Sequence, residues 1–337
     1  MTEPVGVVAH LTDRFFARHL APDGRVVRHD QRGDTVSEGQ AYALLLAVAT
    51  ADERRTELVW QWTRLHLQRT DALLSWHWAG AVTDAEPASD ADLDAARALV
   101  LAGERFGRDD LCDDGLALAA AVLDGLTMPT DAGRVLLPGT WARRPRGPVP
   151  YNPSYASPAA YAVLGRASGD PRWAELAAGS AAVAERLLDS PLPPDWALVH
   201  PDGRAEPAAE PGPGIRYSYD AARLPIRHAE SPAAADRARA ASLLPALGSG
   251  SALPMVLALD GTPLSDEQHP LGYIARAAAL GAAGREADAA ADLRRALDLG
   301  VRYPGYYGDA WLALGAALLT TDTLGGHPVL DPSSLPG

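Results

Sequence analysis

Apolar residues recur three and four positions apart along nearly the whole chain. The strict alternation that marks a half-buried strand is scarce. This spacing predicts helices at about 5–20, 37–52, 53–69, 90–107, 110–127, 153–168, 171–189, 218–230, 233–247, 270–283, 285–300 and 305–321. The links between them alternate in length. Those after the first, third, fifth, seventh and ninth helices are long, as in "APDGRVVRHDQRGDTV" and "SPLPPDWALVHPDGRAEPAAEPGPGIRY". Those after the second, fourth, sixth, eighth and tenth are tight, and an eleventh, "VRYP", is short and breaks the pattern. Helices joined by tight links run antiparallel. The long loops therefore gather at one end of the bundle and the tight turns at the other.

The two sets of helices differ in polarity. Even-numbered ones are apolar nearly all round, as in "AYALLLAVA", "AAYAVLG" and "LGYIARAAALGAA", whereas odd-numbered ones carry charge on one face, as in "READAAADLRRAL". Helices apolar on every side belong inside and amphipathic ones outside. The expectation is an all-α fold in which six helical hairpins close into a double ring. An open helical-repeat solenoid is the rival, and the absence of a 34- or 40-residue repeat counts against it. No linker divides the chain, so residues 1–337 are expected to form a single domain.

Composition narrows the function classes. At 47% hydrophobic and 22% charged the chain suits a soluble protein with a large core. No apolar run reaches the roughly 18 residues that span a bilayer. The net charge is −13, every basic residue is arginine, and no basic stripe interleaves with aromatics, which argues against nucleic acid as a partner. The single cysteine, Cys112, rules out an internal disulfide and a cysteine zinc site, and its helical setting points to packing. The histidines show no HExxH or comparable spacing, so no metal site and no cofactor are expected. The N-terminus lacks a basic stretch followed by an apolar one, so no signal peptide is visible in the chain as written.

Unusual polar residues cluster where the even helices begin. The second opens "TVSEGQ" with Glu38, the fourth "SDADLD" with Asp90, Asp92 and Asp94, the sixth "YNPSY" with Asn152 and Tyr155, the eighth "RYSYDAAR" with Tyr219, Asp220 and Arg223, and the twelfth "GYYGDAW" with Tyr306, Tyr307 and Asp309. Each has a plain alternative: Ser37 and Asp90 suit N-caps, and acids in a first turn favour the helix dipole. Capping does not explain why five inner helices share the habit, nor why tyrosines come along. The long loops add Trp76, Trp78, Trp141 and Trp196 to the same end. Alternation would place Trp76 and Trp78 on one side, as a sugar platform or as a loop's own core. Trp60 and Trp62 read as core. Carboxylates beside flat aromatic surfaces suit a carbohydrate, and glycosidic cleavage needs two carboxyl groups, one of them with a raised pKa. Glu38, set against an apolar helix, is the better candidate for that one.

These residues also carry a family resemblance. "TVSEGQAYALLLAV" resembles the acid-bearing segment of glycoside hydrolase family 8, and "ASDADLDAARALVLAGERF" resembles the family signature around its acidic pair. "LLPG", "YNPSYASP", "PPDW" and "SYDAARLPIR" follow in the family's order, so the likeness runs from about residue 10 to 325. It is strongest to the endo-β-1,4-glucanases encoded with bacterial cellulose synthases. The resemblance implies an (α/α)6 barrel of six helical hairpins that works as an inverting hydrolase of a β-1,4-linked polysaccharide or oligosaccharide. It assigns Glu38 as general acid, Asp220 as general base, and Asp90, with Asp92, to holding the sugar at the cleavage point. Tyr155, Tyr219 and Asn152 would line that point, Arg223 would orient the base, and Trp76, Trp78 and Trp141 would be stacking platforms. Inverting chemistry would set Glu38 and Asp220 on the order of 6.5–9.5 Å apart. Xylan- or chitosan-type substrates, an oligosaccharide-specific hydrolase of the same family, and a non-catalytic glycan-binding role remain alternatives. Ala91, Ala95 and Ile226 depart from residues common in the family without removing a catalytic group. The expected setting is a monomer acting beside a cellulose synthase complex. Secretion or a cell-envelope location goes with a trimmed leader, and the cytoplasm with a chain whole as written.

Overall fold

A computed structural model describes residues 4–334 apart from residue 145. In chain order its helices are α1 (Pro4–His19), α2 (Ser37–Ala49), α3 (Glu53–His66), α4 (Ser89–Phe106), α5 (Asp109–Gly125), α6 (Pro158–Ser168) and α7 (Arg172–Leu187). There follow α8 (Arg223–Ala229), α9 (Ala234–Ser242), α10 (Leu244–Leu247), α11 (Pro270–Ala282), α12 (Glu286–Arg302) and α13 (Tyr306–Thr320). Six of them close a ring: α2 packs on α4, α4 on α6, α6 on α8, α8 on α11, α11 on α13, and α13 returns to α2. Around it stand α1, α3, α5, α7, the α9–α10 pair and α12. This is the (α/α)6 double ring expected from the hydrophobic pattern. Its cause is visible in burial: Ala41 through Val48 of α2 are all buried, whereas α3 buries only Thr56, Val59, Trp60, Trp62 and Thr63.

Three of the expected helices differ. The sixth starts as a 3-10 turn, Pro153–Tyr155, and becomes α-helical only at Pro158, because a residue before proline is pushed out of the helical region. The eighth is helical only from Arg223, since Ser218–Ala222 forms a tight turn instead. The ninth breaks at Leu243, just before Pro245. Short strands also appear in the long loops. The first sheet joins β1 (Thr35–Val36), β2 (His77–Trp78) and β3 (Val82–Asp84). The second pairs β4 (Thr127–Thr130) with β5 (Gly133–Leu136), and the third joins β6 (Val149–Tyr151), β7 (Ala197–Val199) and β8 (Ala205–Pro207). At two to four residues each they are too short to leave an alternating signature.

The chain after α13 crosses the tight-turn end. There Leu319 O accepts from Val329 N and Leu330 N, Glu230 O accepts from His327 N, and Arg97 Nε donates to Leu324 O. Cys112 packs α5 against α4: a Cβ on Gly103 would lie 2.6 Å from the Cys112 Cβ, so the helices approach closely only because residue 103 is glycine. Trp60 and Trp62 are buried, as expected. Among the described residues no helix is long and apolar enough to cross a membrane, and no group of three potential metal-ligating side chains occurs.

Candidate active site

Glu38 lies in the first turn of α2, directly after β1, which pairs with β2 across the Thr35–Trp78 and Val36–His77 positions. A backbone bond from Ser37 N to Trp76 O fastens this entry. Asp90 lies in the first turn of α4, and Asp220 in the turn that leads into α8. The N-cap residues of α2 and α4 are Val36 and Ala88, neither of which makes a side-chain cap bond, so Ser37 and Asp90 are not N-caps. Glu38 and Asp90 both lie in first turns, where the helix dipole favours them, and Asp90 Oδ1 accepts from Ala91 N at 3.0 Å.

One guanidinium joins the three acids. Arg223 Nη1 donates to Asp90 Oδ2 at 2.7 Å, Nη2 donates to Asp220 Oδ1 at 2.8 Å, and Nη1 lies 4.0 Å from Glu38 Oε1. Arg223 is 3% exposed and stands 5.1 Å over the ring of Tyr155. Three carboxylates thus share one cation, and one of them has little reason to ionise. Burial, reinforced by the charge of Asp90, pushes the Glu38 pKa up to about 8. A quarter of the Glu38 side chain still meets solvent, which damps the shift without changing its direction. Burial also raises Asp90, against the pull of Arg223. Because Glu38 Oε1 and Asp220 Oδ1 lie on two nitrogens of one guanidinium, their separation is at most about 9 Å, below the roughly 9.5 Å upper limit for inversion.

Aromatic side chains form two walls. On one side Tyr155, Trp196 and Trp141 follow one another, each pair with ring centroids 6.2 Å apart, and Trp141 is 45% exposed. On the other, Tyr219, His269 and Tyr307 pack together, with Trp311 and Tyr42 behind them. Tyr219 donates its hydroxyl to Glu267 Oε1, and the Tyr307 hydroxyl reaches Tyr219 O at 3.5 Å. Tyr306 packs its ring on Phe15 and His19 and brings its hydroxyl to α2. It fits beside α2 because residue 39 is glycine, where a Cβ would come within 2.7 Å of the Tyr306 hydroxyl.

Other expected site residues have structural partners of their own. Asp92 is fully buried, with Oδ1 accepting from Leu74 N at 2.9 Å, and burial lifts its pKa well above the carboxylate range. It fastens the loop after α3 rather than facing the cleft. Asn152 is buried and accepts from Ser154 N and Oγ, shaping the turn that presents Tyr155. Trp78 is packed edge-on against Trp62 and His66 with Arg25 over its ring at 4.9 Å, so that face is already occupied. Trp76 stacks on His77 and bonds Asp84. Asp309 is taken up by Arg14, Arg18 and His19.

The structure adds residues that the sequence reading did not assign to the site. Asp94 bonds Arg227, and Arg97 bonds Glu230 through both oxygens. With Asp90–Arg223 they make three buried rungs between α4 and α8, all with the same sequence separation of 133 residues. Acids and bases at i, i+4 and i+7 on both helices (90, 94, 97 and 223, 227, 230) were the available signal. Near β1, Arg28 grips Asp34 by two bonds of 2.8 and 2.6 Å, and His77 bonds the same carboxylate.

The model of "Glycosyl hydrolases family 8" matches residues 9–248. A "Probable endoglucanase" of Novacetimonas hansenii is 36% identical over 219 residues, which are 63% of this chain and 64% of that protein. An "Endoglucanase" of Cellulomonas uda is 31% identical over 222 residues, covering 64% of this chain and 61% of its own length. The match thus spans less than two thirds of these relatives. Among solved structures, the endo-beta-1,4-glucanase from Acetobacter xylinum superposes with a TM-score of 0.76 at 29% identity, over 93% of this chain and 98% of that one.

Proposed function

The chain belongs to glycosyl hydrolase family 8, and from that premise we propose that it is an inverting endo-β-1,4-glucanase with Glu38 as general acid and Asp220 as general base. The observation that carries this reading is the shared guanidinium of Arg223, which pairs with Asp90 and Asp220 while Glu38 stands 4.0 Å away with its pKa raised. A glucan chain lies along the cleft between the aromatic walls, its apolar C–H faces against Trp141, Trp196 and Tyr155. Protonated Glu38 gives its proton to the glycosidic oxygen as the bond from that oxygen to the anomeric carbon breaks. Ionised Asp220 takes a proton from a water that attacks the anomeric carbon from the opposite face. The new C–O bond has inverted configuration, and solvent resets both carboxyl groups. Asp90, held by Arg223 and the Ala91 N–H, accepts from a hydroxyl of the sugar at the cleavage point.

The test is hydrolysis of carboxymethylcellulose, xylan and chitosan side by side, with Glu38→Gln and Asp220→Asn as controls. The expected result is activity on carboxymethylcellulose that falls by about 10²–10⁴-fold in each folded variant. Activity on xylan or chitosan alone overturns the substrate assignment. Near-normal turnover by a folded Glu38→Gln protein overturns the acid.

A further inference from the structure

Asp195 lies in the long link between α7 and α8, in the stretch "PPDW". It is 2% exposed and is not one of the acids that Arg223 meets. Its bonds converge on one place. Oδ1 accepts from Ser218 N at 2.8 Å and from Ala221 N at 2.9 Å, and Oδ2 accepts from the Ser218 hydroxyl. Those two N–H groups bracket Asp220. The bracketed segment is also the place where the expected helix fails to form, because α8 begins only at Arg223. The backbone that projects Asp220 is therefore a tight turn, with Ala222 N on Ser218 O and Arg223 N on Asp220 O, closed from outside by a single carboxylate.

We propose that Asp195 is a positioning residue for Asp220, fixing the backbone from which the base projects while Arg223 fixes the carboxylate at its far end. The inference rests on the reading of Asp220 as the base. A buried carboxylate is costly unless fully hydrogen-bonded, and here two N–H groups and a hydroxyl supply the bonds, with Arg216 Nε at 3.6 Å. Burial nevertheless raises the pKa of Asp195, against these donors. The next residue, Trp196, stands in the aromatic wall. One short segment thus sets both a surface of the cleft and the base across from the acid. Displacing a reacting group by about 1 Å costs on the order of 10²-fold in rate.

The experiment compares Asp195→Ala, Asp195→Asn and Asp195→Glu with Asp220→Asn and Glu38→Gln. Each is assayed on a β-1,4-glucan and on an aryl β-cello-oligosaccharide with a good leaving group. Asp195→Ala is expected to lose about 30–100-fold in kcat with KM unchanged. Asp195→Asn, which keeps an oxygen for both N–H groups, should retain most activity. The activated leaving group should rescue Glu38→Gln, which lacks the acid, and should not rescue Asp195→Ala, whose fault lies with the base. If Asp195→Ala does not fold, Asp195→Glu carries the test, since it keeps the charge and moves the carboxylate by one methylene; its kcat should fall at least about tenfold. A folded Asp195→Ala or Asp195→Glu protein with near-normal kcat, beside an inactive Asp220→Asn, overturns the positioning role alone. An active Asp220→Asn protein overturns the base assignment, and this inference with it. Rescue of Asp195→Ala by the activated substrate also contradicts it.

Discussion

At the scale of single residues, cleavage depends on the proton of Glu38. Its folded-state pKa, about 8, lies above the 4.5 of an ordinary glutamate. The acid is therefore protonated through neutral pH, and kcat/KM should fall on the alkaline side as it ionises. Measured from about pH 5 to 10, the profile on a glucan should bend near 8, and the bend should vanish on a substrate whose leaving group needs no proton. The same shift acts on stability. A raised folded-state value gives a contribution that is full below pH 4.5 and is lost as pH rises through about 8. Glu38→Gln cannot ionise, so its melting temperature should match the parent at pH 4.5 and exceed it above pH 8. A variant that gains nothing at alkaline pH contradicts the raised pKa. At this scale the sequence carried much of the site: Glu38, Asp90, Tyr155, Asp220 and Arg223 meet around one guanidinium. Asp92 was not separable from Asp90 by sequence, because a helix turns about 200° over two residues and sends the second acid to the loop side. Asp195 was not legible either, since its role depends on a turn formed by residues far along the chain.

At the scale of elements, α8 is the unusual member of the ring. It has only seven residues, all buried, and two of them are arginines, with Glu230 directly following. Its register against α4 is held by the rungs Asp90–Arg223, Asp94–Arg227 and Arg97–Glu230. Replacing one partner leaves an uncompensated buried charge, at a cost of about 3–5 kcal/mol. Arg227→Met should therefore lose stability on that order in urea unfolding, and the paired change Asp94→Leu with Arg227→Met should recover most of it. Equal loss in the single and double variants contradicts a coupled rung. The sequence placed an eighth helix here but overran its start by five residues. Apolar spacing cannot show that Ser218 and Ala221 give their N–H groups to Asp195.

For the whole molecule, the alternation of long and tight links proved the most informative signal. It placed all inner-helix N-termini at one end before any side chain was assigned, and the closed ring from α2 through α13 follows from it. The loop strands were invisible because each pairs only two to four residues. With every inner helix starting at the cleft, Glu38 and Asp90 from two first turns meet Asp220 at Arg223, while Asp92 and Asp309 turn to other partners, and the barrel sets the distance between Glu38 and Asp220. That distance decides stereochemistry: room for a water between acid and base gives inversion, whereas a closer pair gives a covalent intermediate and retention. The most direct measurement is proton NMR of a cello-oligosaccharide during the first moments of hydrolysis. The new reducing end is expected to appear first as the α-anomer and then to mutarotate toward β. Initial appearance of the β-anomer would contradict the roles given to Glu38 and Asp220.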